Sequence, residues 1–266
     1  MKMIMKSIYL RLQGKSLKFL CKKIDIPYFY LTKENIKELE EYVRKLRPDL
    51  IVVYSMSQLL KKSIIEIPKY GCINLHPSYL PKYRGPNPYL WQYFFDEKKF
   101  GVTLHFIDEG EDTGDIIYQT EFEVERGTKL NEVVEKFMDI GKKFFEKAID
   151  NIENLPRIKQ PKESPTPRAK NINSNEYIEM INKKLENVES LFNFLCGTEN
   201  YFNKWINKSK FYYFSVVGFS TGDHNFETGR IIKEKSNYFF TAKNGLIQLK
   251  KVVSIKFFLK KVILGD

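Results

Sequence analysis

The sequence predicts an α/β protein, with a Rossmann-like and mostly parallel sheet domain followed by a small β-rich module, and three observations carry that expectation. Apolar runs alternate with amphipathic helical stretches through the first part of the chain, the pattern of a parallel sheet covered by helices. Three prolines crowd QPKESPTPR (160–168), which precludes both a helix and a central strand and marks a linker. Beyond it, short runs rich in Val, Ile, Tyr and Phe are separated by turn residues. The expected division is a first domain over residues 1–158, a linker over 159–173 and a second domain over 174–266.

Taken in order, residues 16–23 have the spacing of a helix, residues 26–31 (IPYFYL) that of a short strand, and residues 33–46 that of an amphipathic helix. Residues 49–54 (DLIVVY) read as a buried strand. It runs into YSMSQLL (54–60), a loop at the carboxyl end of the strand, where such sheets bind ligands. The run GCINLHPSYLPKYRG (71–85) places Asn74 and His76 two apart at the end of an apolar strand, so both side chains leave one face. GVTLHFIDEGEDTGD (101–115) alternates as far as Phe106, then breaks into an acidic, glycine-containing loop that can return the Asp112 carboxylate to the same place. His105 belongs to the alternating part and is expected to pack or line a wall, and His224 lies in a GDHN turn. After RGTKL (126–130) an amphipathic helix extends to about residue 152. Past the linker, residues 187–196 read as a helix and residues 212–217, 229–233, 237–242 and 246–250 as strands, the last two joined by a KNGL hairpin turn.

Composition narrows the class. At 266 residues, 42% of them hydrophobic, the chain can bury a sizeable core, and no apolar run approaches the ~20 residues of a membrane span. The opening residues mix charge with too few apolar positions for a secretory signal. Cys21, Cys72 and Cys196 stand apart, which argues for a reducing compartment, the cytoplasm, and offers no zinc-like spacing, so no metal is expected. A net charge of +11 invites a nucleic-acid reading, but lysines are interleaved with glutamates in stretches such as TKENIKELEEYVR (32–44), the pattern of a solvated helix face. The basic excess over residues 250–261 alternates unevenly with apolar residues and suits a lysine-protected edge strand, a partner surface, such as that of a homodimer, or a phosphate contact.

The Asn74-x-His76 element, the Leu80-Pro81 and Arg84-Gly85 pairs, and the Asp112-Thr-Gly114 loop resemble the N10-formyltetrahydrofolate-dependent formyltransferases. That family includes methionyl-tRNA formyltransferase, glycinamide ribonucleotide transformylase and the nucleotide-sugar N-formyltransferases. The match is good over residues 17–155 and weak over 174–253, where the resemblance implies an open-barrel-like C-terminal module. It implies a catalytic trio of Asn74, His76 and Asp112 and N10-formyltetrahydrofolate as co-substrate, walled by Met56, Gln58 and Leu60 on one loop and by Asp108, Gly110 and Asp112 on the other. The residue types suit the chemistry. An Asn amide can hold a developing oxyanion without titrating, a His with an ordinary pKa near ~6.5 can move protons at neutral pH, and an aspartate beside it fixes the imidazole and stabilises its charged form.

One departure is a first βα unit that is short or missing: only residues 1–15 precede the segment aligned with 16–23, and MIMKSIYL (3–10) is the candidate replacement strand. The acceptor is read from HPSYLPKYRG (76–85) followed by NPYLW (87–91), which is similar to the nucleotide-sugar branch. That similarity implies a dTDP-linked amino-dideoxy sugar, such as a 4-amino-4,6-dideoxyglucose, destined for O-antigen or another glycan. Ser78, Lys82, Arg84, Tyr89 and Trp91 are then the candidate substrate contacts. Lys82 and Arg84 would meet a pyrophosphate and the aromatic rings would stack, against rival roles for Arg84 as a loop anchor and for the rings in core packing. Two alternatives stand beside this reading: a formyltransferase acting on methionyl-tRNA, and a folate- or sugar-nucleotide-binding protein that has lost catalysis.

Overall fold

Alternating apolar strands produce two four-stranded sheets in the computed structural model, which describes residues 17–253 apart from 31, 33, 34, 57, 208 and 210. The proposed replacement strand over 3–10 and most of the basic stretch 250–261 lie outside the described residues. The first sheet has the order β1 (Ile51–Val53), β2 (Cys72–His76), β3 (Lys99–Phe106), β4 (Ile116–Glu123). β1 and β2 are parallel, whereas β2–β3 and β3–β4 are antiparallel. The expectation of a mostly parallel sheet is therefore corrected to a mixed one over the described strands. The loop 107–115 is too short for the crossover of a dozen or more residues that a parallel β3–β4 pair would need.

Residues 26–30, expected as part of a strand, join no ladder. Pro27 lacks an N–H donor, the Asn35 side-chain amide donates to the Tyr30 carbonyl at 2.8 Å, and Phe29 stacks on Tyr42 at 5.3 Å, so the segment is tied to a helix instead. That helix, α2 (Ile36–Leu46), follows α1 (Leu17–Lys23) and ends where Arg47 turns left-handed ahead of Pro48. The short helices α3 (Lys62–Ile65) and α4 (Pro88–Phe94) flank β2, and α5 (Leu130–Asp150) covers one face of the sheet. On α5 the buried residues Val133, Phe137, Gly141 and Ala148 form one stripe. Gly141 sits where a Cβ would lie 2.2 Å from Leu75 Cδ2, so its lack of a side chain lets β2 approach the helix.

The C-terminal part contains α6 (Ser174–Lys184), α7 (Val188–Gly197) and an antiparallel sheet in the order β5 (Tyr212–Thr221), β8 (Gly245–Val253), β7 (Asn237–Ala242), β6 (Ile231–Glu234). α6 goes unread in the sequence although its start is signalled. Asn173 accepts from the amides of Asn175 and Glu176, and Glu176 returns a bond to the Asn173 amide, a reciprocal cap. A core of Ile73, Leu75, Val102, Leu104 and Phe137 stays within the first part, but a second core spans both. One buried cluster joins Leu90, Tyr93, Phe100, Val124 and Val133 to Tyr177, Leu191, Phe194, Phe202, Phe240 and Ile247. Ion pairs Lys184–Asp96 (2.7 Å) and Lys129–Glu199 cross the same boundary.

The stretch expected as a linker is also more than a tether. Just ahead of it Ile158 forms a β-bridge with Ile116; within it Ala169 is fully buried and exchanges backbone bonds with Arg84 and Asn87, and Thr166 accepts from the Tyr83 amide at 2.7 Å. Among the described residues no helix is long and apolar enough to cross a membrane.

Candidate active site

β2 ends at His76, and the strand pleat sends Asn74 and His76 to the face opposite α5, while Ile73 and Leu75 enter the core. The antiparallel register sets His105 across from Asn74 and Thr103 across from His76, so one face of two strands carries four polar side chains. Asp112 reaches this face from the loop after β3, in a left-handed backbone conformation with φ +54°. Its Oδ1 lies 3.5 Å from Asn74 Nδ2, 3.5 Å from His76 Nδ1 and 3.7 Å from His105 Nε2, and its Oδ2 accepts from the Gly85 amide at 2.9 Å. The three expected catalytic side chains thus converge.

The hydrogen bonds fix the tautomers. His76 Nε2 faces the Tyr83 carbonyl at 3.0 Å and must donate to it, which leaves Nδ1 as the nitrogen turned toward Asp112. His105 Nδ1 donates to the Phe106 carbonyl at 2.7 Å, so its Nε2 accepts from Asn74 Nδ2 at 3.1 Å. Burial, reinforced by the nearby His76 charge and opposed by Asp112, pulls the His105 pKa down to about 4 and keeps the ring neutral. A neutral His105 orients the Asn74 amide. From the sequence alone His105 is expected to pack or line a wall. The alternation in β3 put it on a face with Thr103, and only the pairing with β2 shows that this is the site's face.

A cleft of about 270 Å³ opens over Asn74, His76 and Asp112, bounded by Tyr54, Ser55, Met56, Gln58, Pro86, Asn87, Tyr89 and Glu111. A narrower recess of about 70 Å³ adjoins it. Val53, Met56, Leu59, Leu60 and Ile107 supply apolar walls there, and Gln58, Asn74, His105, Asp108, Gly110 and Asp112 supply polar edges. All six expected co-substrate positions, Met56, Gln58, Leu60, Asp108, Gly110 and Asp112, therefore line one recess. The acidic loop is held in shape internally: Asp108 Oδ1 accepts from the Gly110 amide at 3.0 Å and from Thr113 Oγ1 at 2.6 Å.

The expected acceptor contacts separate. Tyr89 lines the cleft, and its ring meets Phe137 edge-on at 6.0 Å. Its hydroxyl is the one buried side-chain polar atom without a partner among the described residues. Ser78, fully buried, donates to the Lys82 carbonyl at 2.6 Å and shapes the turn after β2, so it is corrected from a substrate contact to a structural one. Arg84, 9% exposed, spends its donors on Gln160 Oε1 (2.8 and 3.2 Å) and on the carbonyls of Pro161 (2.8 Å) and Lys162 (3.1 Å). It is the loop anchor, not a pyrophosphate ligand. Trp91 donates to the Lys170 carbonyl at 3.0 Å, stacks against Phe95 and lines neither cavity, and Lys82 lines neither as well. Asn87, Tyr54 and Glu111 take their place on the rim. Among the described residues no group of three His, Cys, Asp or Glu side chains could hold a metal ion.

Comparison with known proteins identifies the family of the chain. The formyl transferase family model matches residues 13–149. Methionyl-tRNA formyltransferase of Clostridium tetani is 32% identical over 243 residues, covering 83% of this chain and 74% of that protein. The Clostridioides difficile enzyme of the same name is 38% identical over 167 residues, which cover 62% of this chain and about half, 51%, of that relative. Among solved structures, the sugar 3N-formyl transferase WlaRD, crystallised with dTDP and 5-N-formyl-THF, superposes with a TM-score of 0.59 at 21% identity, covering 91% of this chain and 83% of that one. The Helicobacter canadensis N-formyltransferase, in complex with folinic acid and dTDP-3-aminofucose, gives 0.60 at 22% identity, covering 90% and 83%. At those identities the superpositions speak to the fold, whereas the family match and the Clostridium tetani relative speak to descent: the chain belongs to the formyl transferase family.

Proposed function

We propose that this chain transfers the formyl group of N10-formyltetrahydrofolate to the primary amine of a nucleotide-linked amino sugar. The observation that carries the reading is the meeting of Asn74, His76 and Asp112 in the cleft, with Asn74 and Asp112 also lining the adjoining recess. The recess suits a flat heterocycle, with apolar walls for its faces and amide, imidazole and carboxylate side chains for its edges. In the reaction the amine nitrogen bonds to the formyl carbon, the bond from that carbon to N10 breaks, the amine gives up a proton and N10 gains one. Asn74 Nδ2 is the donor available to the formyl oxygen, exchanging its longer contact to Asp112 for it. His76 Nδ1 carries the proton, and Asp112 stabilises the ring while it is charged.

The sugar acceptor is supported by the rim, where Tyr54, Asn87 and Tyr89 offer aromatic and amide surface. The Clostridium tetani relative's name favours a second acceptor, methionyl-tRNA. A turnover assay with N10-formyltetrahydrofolate against dTDP-aminohexoses and against methionyl-tRNA decides between them. The expected outcome is a formylated sugar nucleotide whose KM changes little with salt, and activity lost by at least about a hundredfold in His76→Ala. Formylation of tRNA alone, with an affinity that falls steeply as salt rises, would replace the sugar reading.

A further inference from the structure

The acidic loop carrying Asp112 is held from outside by a side chain of the proline-rich segment. Gln160 Oε1 accepts from Arg84 Nε and Nη2. A guanidinium only donates, so the Gln160 amide can have one orientation, with Nε2 turned the other way. There it donates to the backbone carbonyls of Asp112 (3.0 Å) and Gly114 (2.7 Å), groups that only accept. Arg84 is fixed in turn by the carbonyls of Pro161 and Lys162 and lies almost wholly buried. The next residue, Gly85, offers its amide to Asp112 Oδ2 at 2.9 Å. Asp112 itself has φ +54°, a left-handed conformation that disfavours a residue with a Cβ.

We infer that Arg84 and Gln160 are positioning residues for Asp112: the relay from guanidinium to amide to loop carbonyl holds the left-handed turn, and that turn aims the carboxylate at His76 and Asn74. The segment expected only to connect two domains thereby completes the active site. The catalytic consequence rests on the function proposed above, whereas the holding of the loop does not.

Gln160→Glu separates the two ends of the relay. It keeps size and the contact to Arg84, and it replaces both donations to the loop by contacts between acceptors. Gln160→Met removes the donations without adding charge, should the first variant fold poorly. Hydrogen–deuterium exchange is expected to quicken at least about tenfold in the peptide spanning residues 108–115, with exchange in β5–β8 unchanged. Unchanged exchange in that peptide would overturn the relay, whether or not the chain turns over sugar nucleotides. Where turnover is measurable, Gln160→Glu should lower kcat at least about tenfold in the native background and less than about twofold in an Asp112→Asn background. Equal losses in both backgrounds would mean that Gln160 acts through general stability and not through Asp112. A wild-type protein inactive on every acceptor would sink the proposed function, and the exchange result would still decide the relay.

Discussion

His105 shows how a buried residue can set a site's chemistry without touching the reacting atoms. Its pKa, about 4, lies below the ordinary histidine value, chiefly through burial. As pH falls below ~6.5 the unfolded chain takes up this proton first, so the residue's contribution to stability is fully present above that pH and is lost as pH falls toward 4. The loss amounts to up to about 3 kcal/mol. His105→Gln can still accept from Asn74, and it has no proton to take up. Urea unfolding at pH 7.5 and 4.5 is therefore expected to show a smaller drop in midpoint for His105→Gln than for the native protein. The remaining titrating groups are common to both chains, so the difference isolates this ring, and equal drops would place its titration elsewhere. Cys72 and Cys196 are similarly muted, since burial pushes both thiols up to about 11 and leaves little thiolate at neutral pH.

At the scale of elements, two glycines permit two different close approaches. A Cβ on Gly101, in β3, would lie 1.8 Å from the Tyr79 amide nitrogen and 2.3 Å from the Ser78 carbonyl carbon, both backbone atoms. Gly101→Ala must therefore push the turn after β2 off the sheet, weakening the bonds of Thr103 Oγ1 to the Ser78 carbonyl (2.7 Å) and to the Leu80 amide (3.2 Å). The three atoms nearest a Cβ on Gly141 belong to the end of the Leu75 side chain and not to backbone, and alanine favours the helix by about 1 kcal/mol. Denaturant titration should find Gly101→Ala destabilising by at least about 2 kcal/mol and Gly141→Ala close to neutral. What was legible in the sequence follows the same division between local and distant. The two-residue spacing of Asn74 and His76, the break before Asp112, and the hairpin β7–β8 are local signals, and each corresponds to what the fold shows. The capped start of α6 was equally local and went unread. The pairing of Asn74 with His105 and the reach of Arg84 to Gln160 were not legible. Alternation assigns faces to one strand at a time, and a guanidinium's partner far along the chain leaves no periodic trace.

For the whole molecule, the question is whether the two sheets are two folding units. Their strand orders are separate, yet the residues between them do not behave as a spacer. Tyr93 lies in the α4 layer of the first sheet, and a Cβ on Gly197, at the end of α7, would sit 2.2 Å from its ring, so the helices meet without a gap. Asp96 takes a left-handed turn after α4 and gathers Lys184, Ser190 and Asn193 from α6 and α7. Lys129, just before α5, donates to Glu199 and to the Val216 carbonyl of β5. Cutting the chain at residue 158 would strip the cover from Leu90, Phe100 and Val133 and would also remove Gln160 from the Asp112 loop. A buried boundary of this kind couples the two sheets energetically. Scanning calorimetry is accordingly expected to record one transition, with calorimetric and van't Hoff enthalpies in agreement, and a chain ending at residue 158 is expected to fail to reach a stable fold. Two resolved transitions, or a cooperatively folding 1–158 fragment, would show instead that the shared cluster is contact between independent domains, and that the Asp112 loop can be tested apart from the C-terminal sheet.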